Sequence, residues 1–352
     1  MMSKVIWDII GTGSIAQTYM HLIQRSNFSL ISNILTKSKK NSERIFCLKK
    51  NYNLKDNNIF FDDKEFISAS RANLVYIATT NNLHDYYATI CINNNKNTLV
   101  EKPADISSLN FTKNLLLAKK NKLIFLDALM YLHHPQTKKI LDLLRQKEIG
   151  NVYKIKFDIG YDLRKKFFIT IFKKKINLFK KKIDFFSSKT DPKLGGGAIN
   201  DLACYPLSYS MLIAGVNFGE YFIKPTKIKY SSRFTSTMVD ESCDFRLNFK
   251  ENIIADLSVS INKKKKGILK IYGDKGILLV PKPILPEQNF SFFIKKNFFF
   301  KEYKSFERHN VYQHQIKFLE DLILKKKISK LDNLNNLTIA YIEQLENLKL
   351  RI

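Results

Sequence analysis

Two glycines near the start of the chain have the spacing of a phosphate-binding loop. Val5 to Ile10 is a short apolar run that predicts a β-strand, and apolar residues at helical spacing follow from residue 14. In the GxGxxA pattern between them, Gly11 allows a tight turn, Gly13 lets the backbone approach a pyrophosphate, and Ala16 permits close packing of helix against strand. The free N–H groups at the helix start would face the phosphates of a dinucleotide. The predicted cofactor contacts of this loop are Gly11, Gly13, Ser14 and Ile15.

The end of the second predicted strand bears on which dinucleotide binds. Sites that prefer NAD usually place an acidic residue here, whose carboxylate accepts a hydrogen bond from the ribose 2′-hydroxyl. The strand Ser29–Leu35 is followed instead by Thr36, Lys37 and Ser38. Hydroxyls and a cation suit a 2′-phosphate, so these residues predict NADP as the preferred cofactor. NAD remains the alternative, because lysine is abundant throughout the chain.

Three further residues have types and positions that suit proton chemistry. Lys102 follows the predicted strand Asn97–Val100, and ligands of open α/β sheets bind at the carboxyl ends of the strands. Asp201 and Tyr205 are four residues apart in the second half of the chain. On a helix these positions share a face, so a carboxylate and a phenol would point into one site.

Strands and helices alternate over the first part of the chain. The predicted strands are Val5–Ile10, Ser29–Leu35, Leu74–Ala78 and Asn97–Val100, with helices near Ser14–Ile23 and His84–Ile92. This alternation predicts a parallel, doubly wound sheet of the Rossmann type.

The pattern changes from Val152 onward. Short alternating segments there predict an α+β domain with an open, mostly antiparallel sheet. Two amphipathic helices, Val311–Leu324 and Leu334–Leu350, are expected to pack back on the first domain. The predicted domains are residues 1–126 and 127–352, and the fold class is α/β.

Composition excludes several classes of protein. The chain has 352 residues and a formal net charge of +27, but its basic residues are mostly dispersed lysines, whereas nucleic-acid interfaces favour arginine. We therefore expect no nucleic-acid partner. No apolar run is long enough to span a membrane and no secretory signal is apparent, so no membrane partner is expected. Four cysteines without close pairing indicate reduced thiols in a cytoplasmic protein, and no metal-ligand spacing stands out.

Several motifs along the chain resemble those of one enzyme family. The first half contains IATTNNLH (residues 77–84), TLVEKP (residues 98–103) and DALMYLHHPQ (residues 127–136). The second half contains DPKLGGGAINDLACYP (residues 191–206) and VDE (residues 239–241). Together they resemble the glucose–fructose oxidoreductase, inositol dehydrogenase and rhizopine-catabolism (Gfo/Idh/MocA) family of NAD(P)-dependent oxidoreductases. The resemblance extends over nearly the whole chain and is closest to the sugar and dihydrodiol dehydrogenases.

The resemblance implies hydride transfer between a nicotinamide and a secondary hydroxyl or its carbonyl. Tyr205 is then the proton donor and acceptor, Lys102 polarises the reacting oxygen, and Asp201 binds a substrate hydroxyl. An ammonium group near Tyr205 would lower the pKa of its phenol toward the working range. The further cofactor contacts implied by the resemblance are Thr79, Asn81, His84, Glu101 and Lys102.

The resemblance also implies a class of substrate and an assembly. The substrate is expected to be a sugar, cyclitol or dihydrodiol, with an aldose as the leading candidate, bound by the second domain. That domain's sheet is expected to form a homodimer or higher homo-oligomer. A nucleotide-sugar dehydrogenase of polysaccharide synthesis and a non-catalytic cofactor-binding protein are the alternatives. Thr80, Leu132 and Ala203 depart from the family's usual residues, and the Lys- and Phe-rich segment 163–189 is interpreted as a divergent loop or lid.

Overall fold

The computed structural model describes residues 4–37, 42–52, 54–163, 188–325 and 331–349. Ser38 and nearly all of the segment 163–189 therefore lie outside the described residues. The chain divides into two compact units. The first comprises Met1–His134 and His309–Ile339, and the second comprises Pro135–Arg308 and Ala340–Ile352.

The first unit is built on a parallel sheet of six strands in the order β3-β2-β1-β4-β5-β6. The strands are β1 (Val5–Ile10), β2 (Ser29–Leu35), β3 (Ile59–Phe60), β4 (Leu74–Ile77), β5 (Asn97–Val100) and β6 (Phe125–Asp127). The helices between them are α1 (Ser14–Gln24), α2 (Ser42–Tyr52), α3 (Asp63–Ala69), α4 (His84–Asn93) and α5 (Ser108–Lys120). The strand order reverses between β1 and β4, which is where dinucleotides bind in doubly wound sheets. The predicted Rossmann-type sheet is confirmed.

The second unit contains a sheet of eight strands in the order β14-β13-β12-β11-β7-β10-β9-β8. Its helices are α6 (Pro135–Arg145), α7 (Ala198–Leu202) and α8 (Cys204–Val216). Its strands are β7 (Val152–Gly160), β8 (Lys227–Phe234), β9 (Asp240–Asn248), β10 (Ile254–Ser260), β11 (Leu269–Gly273), β12 (Gly276–Val280), β13 (Asn289–Lys296) and β14 (Phe299–Phe306). Only the β7–β10 pair is parallel among these described strands, which confirms the predicted mostly antiparallel sheet.

Two helices follow β14, namely α9 (Val311–Lys325) and α10 (Leu331–Lys349). Helix α9 belongs to the first unit, where Ile316 and Leu319 join the core formed by β1, β4 and α1. Helix α10 contributes to both units. None of the described helices combines the length and apolarity needed to cross a membrane.

Burial follows the strand pattern in each sheet. Strand β1 lies at the centre of its parallel sheet, and Trp7 and Ile9 are completely buried, as central strands covered on both faces require. The second sheet is apolar on one face only. Along β7, Ile155 and Phe157 are buried, whereas Lys154 of the opposite face forms an ion pair with Asp256 of β10. This alternation is typical of a sheet with one open face.

Candidate functional site

Only glycine can make the turn that leaves β1. Gly11 has a φ of +104°, and a Cβ added there would lie 2.4 Å from the carbonyl oxygen of Ala78. Its N–H donates to the carbonyl of Leu35 at 2.9 Å. The loop is thereby fixed between the ends of β2 and β4, the two strands that flank β1.

The second glycine of the loop faces open space. Gly13 has a φ of −64°, and nothing beyond its chain neighbours lies within 4 Å of a Cβ built on it in the described structure. Gly13 precedes α1, whose first turn has no acidic residue and whose N-cap makes no side-chain hydrogen bond. The N–H groups of Ser14 and Ile15 begin this helix, so its start offers donors and partial positive charge. Both the space and the donors fit a pyrophosphate.

Lys37 follows β2, as predicted, but it has an acidic partner. Its ammonium lies 2.8 Å from Oδ1 of Asp63, the first residue of α3. The carboxylate of Asp63 also accepts hydrogen bonds from the hydroxyls of Tyr86 and Tyr87, at 3.1 and 3.3 Å. An acidic side chain therefore does lie beside the end of β2, although it comes from a different element. This acidic partner could not be predicted from the sequence, because the strand that leads to it, β3, has only two residues.

Thr36 is buried beneath the glycine loop. Its hydroxyl lies 3.3 Å from the hydroxyl of Thr12, and its N–H donates to the carbonyl of Phe60. The carbonyl of Thr12 accepts a further hydrogen bond from the Gln17 side chain at 3.1 Å. Thr36 thus braces the loop, and Lys37 is the more exposed of the two predicted contacts for a 2′-phosphate.

The residues predicted after β4 occupy two different environments. Thr79 and Asn81 are partly exposed in the turn between β4 and α4. His84 is completely buried, and its Nδ1–H donates to the carbonyl of Pro103 at 2.8 Å. Burial, together with the nearby charge of Lys102, lowers the pKa of His84 to about 4, so its ring is neutral at pH 7. This contact ties the start of α4 to the residue after Lys102 and supports a positioning role for His84.

Glu101 and Lys102 directly follow β5, at the edge of the sheet where the glycine loop also lies. The Lys102–Pro103 peptide bond is cis, and Lys102 is partly exposed. The carboxylate of the buried Glu101 accepts hydrogen bonds from the hydroxyl of Tyr76 and from the Lys102 N–H, the latter at 3.3 Å. Tyr76, on β4, is fully buried and was not identified from the sequence. Its contact holds Glu101 in place directly before Lys102.

Asp201 lies on α7 in the second unit and is joined to two residues that sequence reasoning missed. Its Oδ2 accepts a hydrogen bond from the Tyr161 hydroxyl and lies 2.9 Å from the ammonium of Lys189. The Lys189 ammonium also donates to the Tyr161 hydroxyl at 2.8 Å and lies over the tyrosine ring. The carboxylate and the ammonium form an ion pair, and the group contains both hydrogen-bond donors and acceptors.

Tyr205 belongs to the next helix, α8. Asp201 and Tyr205 were expected on one face of a single helix, but they lie on two helices that are separated by Ala203. Ala203 nevertheless keeps helical backbone angles, and its N–H donates to the Ile199 carbonyl at 3.0 Å. The chain therefore turns in a nearly helical way from Asp201 to Tyr205. Tyr205 is 6% exposed, whereas Asp201 is more accessible.

The first unit thus gathers its predicted cofactor residues at one edge of the parallel sheet. These are Gly11, Gly13, Ser14, Ile15, Thr36 and Lys37 near β1 and β2, and Thr79, Asn81, His84, Glu101 and Lys102 near β4 and β5. The second unit brings Asp201 and Tyr205 close along the chain. Among the described residues, no group of His, Cys, Asp and Glu side chains could hold a metal ion.

Comparison with known proteins places the chain in a family. Residues 6–127 match the model of the oxidoreductase family with an NAD-binding Rossmann fold, Gfo/Idh/MocA. Residues 137–279 match the model of the Gfo/Idh/MocA C-terminal domain. The chain belongs to the Gfo/Idh/MocA oxidoreductase family, as its motifs predicted.

Among curated relatives, a trans-1,2-dihydrobenzene-1,2-diol dehydrogenase from Xenopus tropicalis is 25% identical over 59% of this chain, and the match spans 55% of the relative's length. A D-xylose 1-dehydrogenase (NADP(+)) from Hypocrea jecorina is 23% identical over 78% of this chain and 71% of its own length. These two relatives are a dihydrodiol dehydrogenase and a sugar dehydrogenase, the members of the family that the motifs most resemble.

Solved structures share the fold over nearly the whole chain. A 3-ketoreductase from Actinomadura kijaniata, in complex with NADP and TDP-benzene, matches with a TM-score of 0.81 at 14% identity, covering 98% of both chains. An aldose-aldose oxidoreductase from Caulobacter crescentus matches with a TM-score of 0.79 at 16% identity, covering 99% of this chain and 98% of its own. At these identities the likeness establishes the two-part fold.

Proposed function

We propose that the chain is a nicotinamide-dependent oxidoreductase acting on a secondary hydroxyl, or the corresponding carbonyl, of a sugar, cyclitol or dihydrodiol. The observation that carries this proposal is the start of α1. There the glycine loop leaves open space and uncapped N–H groups at the switch point of the sheet. Lys102 lies at the same edge of that sheet, two strands away. A phosphate cradle and a cation at one sheet edge are what a dinucleotide-dependent reaction requires.

The glycine loop and the turn after β4 would hold such a cofactor. Gly13 and the N–H groups of Ser14 and Ile15 would bind the pyrophosphate, and Thr79 and Asn81 line the turn after β4. Glu101 would accept a hydrogen bond from a ribose hydroxyl, because its carboxylate lies at the carboxyl end of β5, directly before Lys102. When bound, the nicotinamide supplies or accepts the hydride.

The protein's own groups then manage the proton and the substrate. Lys102 would donate a hydrogen bond to the reacting oxygen and stabilise negative charge developing on it. Tyr205 would take the hydroxyl proton during oxidation and return it during reduction. Asp201 would accept a hydrogen bond from a second substrate hydroxyl. Asp201, with Lys189 and Tyr161 as partners, offers hydrogen-bond donors and acceptors of the kind that a polyol requires.

A coupled assay tests this proposal. The purified protein is incubated with NADP or NAD and with D-xylose, D-glucose, myo-inositol, a trans-dihydrodiol or a nucleotide sugar, and reduced nicotinamide is followed by absorbance. Turnover of a neutral aldose, cyclitol or dihydrodiol supports the proposal. Turnover of the nucleotide sugar alone would replace the substrate class. Cofactor binding without turnover of any candidate, in either direction, would favour the non-catalytic alternative.

We further propose NADP as the preferred cofactor, with Lys37 as the contact to its 2′-phosphate. This ammonium pairs with Asp63 and also donates to the Phe61 carbonyl, so Asp63→Asn should remove the competing carboxylate and strengthen the binding of NADPH relative to NADH. Lys37→Met should weaken NADPH by about 10- to 100-fold, the value of one charge-assisted hydrogen bond, while leaving NADH within about two-fold. Dissociation constants for both cofactors check this prediction. Unchanged NADPH-to-NADH ratios in both variants would show that the 2′-phosphate is bound elsewhere.

A homo-oligomer formed through the second sheet is also proposed. The open face of that sheet carries partly exposed charges, among which Asp256 pairs with both Lys154 and Arg246. Opposite charges in alternation permit two copies to pack face to face. Light scattering of the purified chain should give at least a dimer, and Arg246→Glu should weaken it. A monomer at micromolar concentration would contradict this assignment.

The four cysteines support a cytoplasmic location. Cys47, Cys91, Cys204 and Cys243 form no disulfide, and all but Cys47 are buried. Cysteines that form no disulfide are typical of proteins in a reducing compartment. Fractionation of the native cell, with recovery of the chain in the cytoplasmic extract, checks this proposal, and recovery in a secreted fraction would contradict it.

A further inference from the structure

A buried carboxylate outside the predicted site lies against the helix that carries Asp201. Asp240 begins β9 and is 7% exposed. Its Oδ2 accepts a hydrogen bond from the N–H of Ile199, in the first turn of α7, at 2.6 Å. This N–H is one of the donors that a helix start leaves without a partner inside the helix. Asp240 therefore caps α7 from a distant strand.

The backbone directly before α7 has the conformation that this contact requires. Gly197, directly before α7, has a φ of +118°, and a Cβ there would lie 2.1 Å from Oδ1 of Asp240. Its N–H donates to the carbonyl of Lys189 at 2.9 Å, so the same turn also holds the chain next to the ammonium that pairs with Asp201. The Asp240 carboxylate thus packs against the backbone of Gly197, at a position where a Cβ atom would not fit.

An irregularity in the sheet places Asp240 on the buried face. Arg233 of β8 pairs with Ser242, whereas the next residue, Phe234, pairs with Asp240. The extra residue on β9 is Glu241, which shifts the alternation of faces by one position. Without the shift, Asp240 would share the open face with Asp244. Bulges of this kind re-aim side chains next to functional sites.

We propose that Asp240 is a positioning residue, which fixes the first turn of α7 and thereby holds Asp201 and Tyr205 where the reaction needs them. This inference rests on the proposed function of Asp201 and Tyr205. Asp240 touches neither substrate nor cofactor in this account, so its loss should lower kcat and leave cofactor affinity unchanged. A misplacement of about 1 Å in a catalytic group can cost about 100-fold in rate.

Ionisation of Asp240 should make the activity of the enzyme depend on pH. Burial raises the pKa of Asp240 to about 6, although the Ile199 N–H and the ammonium of Lys349 on α10 act in the opposite direction. On its own strand, Cys243 is the titratable neighbour that the carboxylate affects. Above pH 6 the ionised carboxylate accepts at both oxygens, and below pH 6 one oxygen becomes a donor. Activity should therefore fall as the pH drops through about 6.

Because the folded pKa is raised, ionisation of Asp240 costs stability as the pH rises from about 4 to 6. Removal of the charge should then not lower the melting temperature at pH 7. A merely structural role predicts the opposite, namely a less stable protein with normal kinetics.

The experiment compares Asp240→Asn with Asp244→Asn, the same change at an exposed position of the same strand. We expect Asp240→Asn to lower kcat by about 10- to 100-fold, to leave the KM for NADPH within two-fold and to abolish the acid limb of the pH profile. Asp244→Asn should change none of these. Lys349→Met removes a cation that lowers the pKa of Asp240, so it should move the acid limb to higher pH. Normal kcat and an unchanged acid limb in Asp240→Asn would overturn the proposal.

Hydrogen exchange separates this proposal from the proposed function, because it needs no turnover. Peptides that cover residues 197–205 should exchange about ten-fold faster in Asp240→Asn than in the wild type, and at the wild-type rate in Asp244→Asn. Equal protection in all three proteins would show that Asp240 does not fix this turn. If exchange increases but the wild-type protein turns over none of the tested substrates, the proposed function fails and the anchoring role remains.

Discussion

Replacement of Tyr205 by phenylalanine should lower kcat by about 100- to 10,000-fold, the usual range for loss of one acid–base group. The substitution removes only the hydroxyl, and the ring can keep its place in the well-buried first turn of α8. Cofactor affinity should remain within about two-fold, because the cofactor contacts are assigned to the first unit. Steady-state kinetics with the substrate found in the screen measure the effect.

The matched control is Tyr209→Phe, one helical turn further on. The Tyr209 hydroxyl is fully buried and bonded to Thr137 at 2.9 Å and to the Pro283 carbonyl at 2.8 Å. Its loss should cost about 1–3 kcal/mol of stability, because it leaves a buried acceptor unsatisfied, yet kcat should not change. If the Tyr205→Phe variant kept a kcat within a few-fold of the wild-type value, the assignment of Tyr205 as the proton donor would be wrong.

Lys102→Ala extends the same prediction. If Lys102 and Tyr205 act on one reacting oxygen, the double variant should be about as slow as the slower single variant, because residues that act as a unit are not additive. A double variant whose rate loss equals the product of the two single losses would show that the groups act independently.

Gly13→Ala should abolish tight cofactor binding and leave the fold intact. Gly13 already has a backbone conformation that alanine adopts, and its Cβ would meet no atom beyond its neighbours in the described protein. That methyl group would occupy the space where the backbone must approach a pyrophosphate. We expect the Kd for NADPH to rise by about 100-fold or more, equivalent to about 2.7 kcal/mol, with an unchanged melting temperature.

Gly11→Ala provides the contrasting control. Its φ of +104° and the 2.4 Å approach to the Ala78 carbonyl predict strain of at least about 1–3 kcal/mol and a melting temperature lowered by several degrees. The two substitutions should therefore have different effects: Gly13→Ala should weaken cofactor binding, and Gly11→Ala should lower the stability of the protein. Normal NADPH affinity in a folded Gly13→Ala variant would mean that the phosphates lie elsewhere.

The central parts of both sheets were predictable from the sequence, because their strands have clear periodicity. Two of these are the apolar runs Val5–Ile10 and Asn97–Val100, and the third is the alternating segment that begins at Val152. Each forms a strand that pairs with a neighbouring strand on both sides. The strands at the edges of the two sheets were harder to predict. Strand β3 has two residues and β6 has three, too few for any period to appear. Strands β12, β13 and β14 were not predicted either. Seven of the eight residues of β14 are Lys, Glu, Ser or Phe, and all seven are exposed, so no buried face marks this strand.

The candidate site was predictable only where a short motif encodes it. Gly11 and Gly13 follow from a local pattern, and Lys102, Asp201 and Tyr205 follow from the family resemblance; their roles stay predictions. Partners brought together by tertiary structure left no such signal. Asp63 reaches Lys37 from a different element, and Lys189 reaches Asp201 across a glycine turn. Sequence spacing alone could not indicate either ion pair.

A fluorescence titration with NADPH and NADH tests the central claim most directly. Trp7 is the only tryptophan of the chain and lies in β1, the strand that leads into the glycine loop. Its emission should be quenched by energy transfer as reduced nicotinamide binds to the wild-type protein, with NADPH binding more tightly than NADH. The Gly13→Ala variant should show no saturable quenching at the same concentrations. Failure of the wild-type protein to bind either cofactor would contradict the account of this chain as a nicotinamide-dependent oxidoreductase.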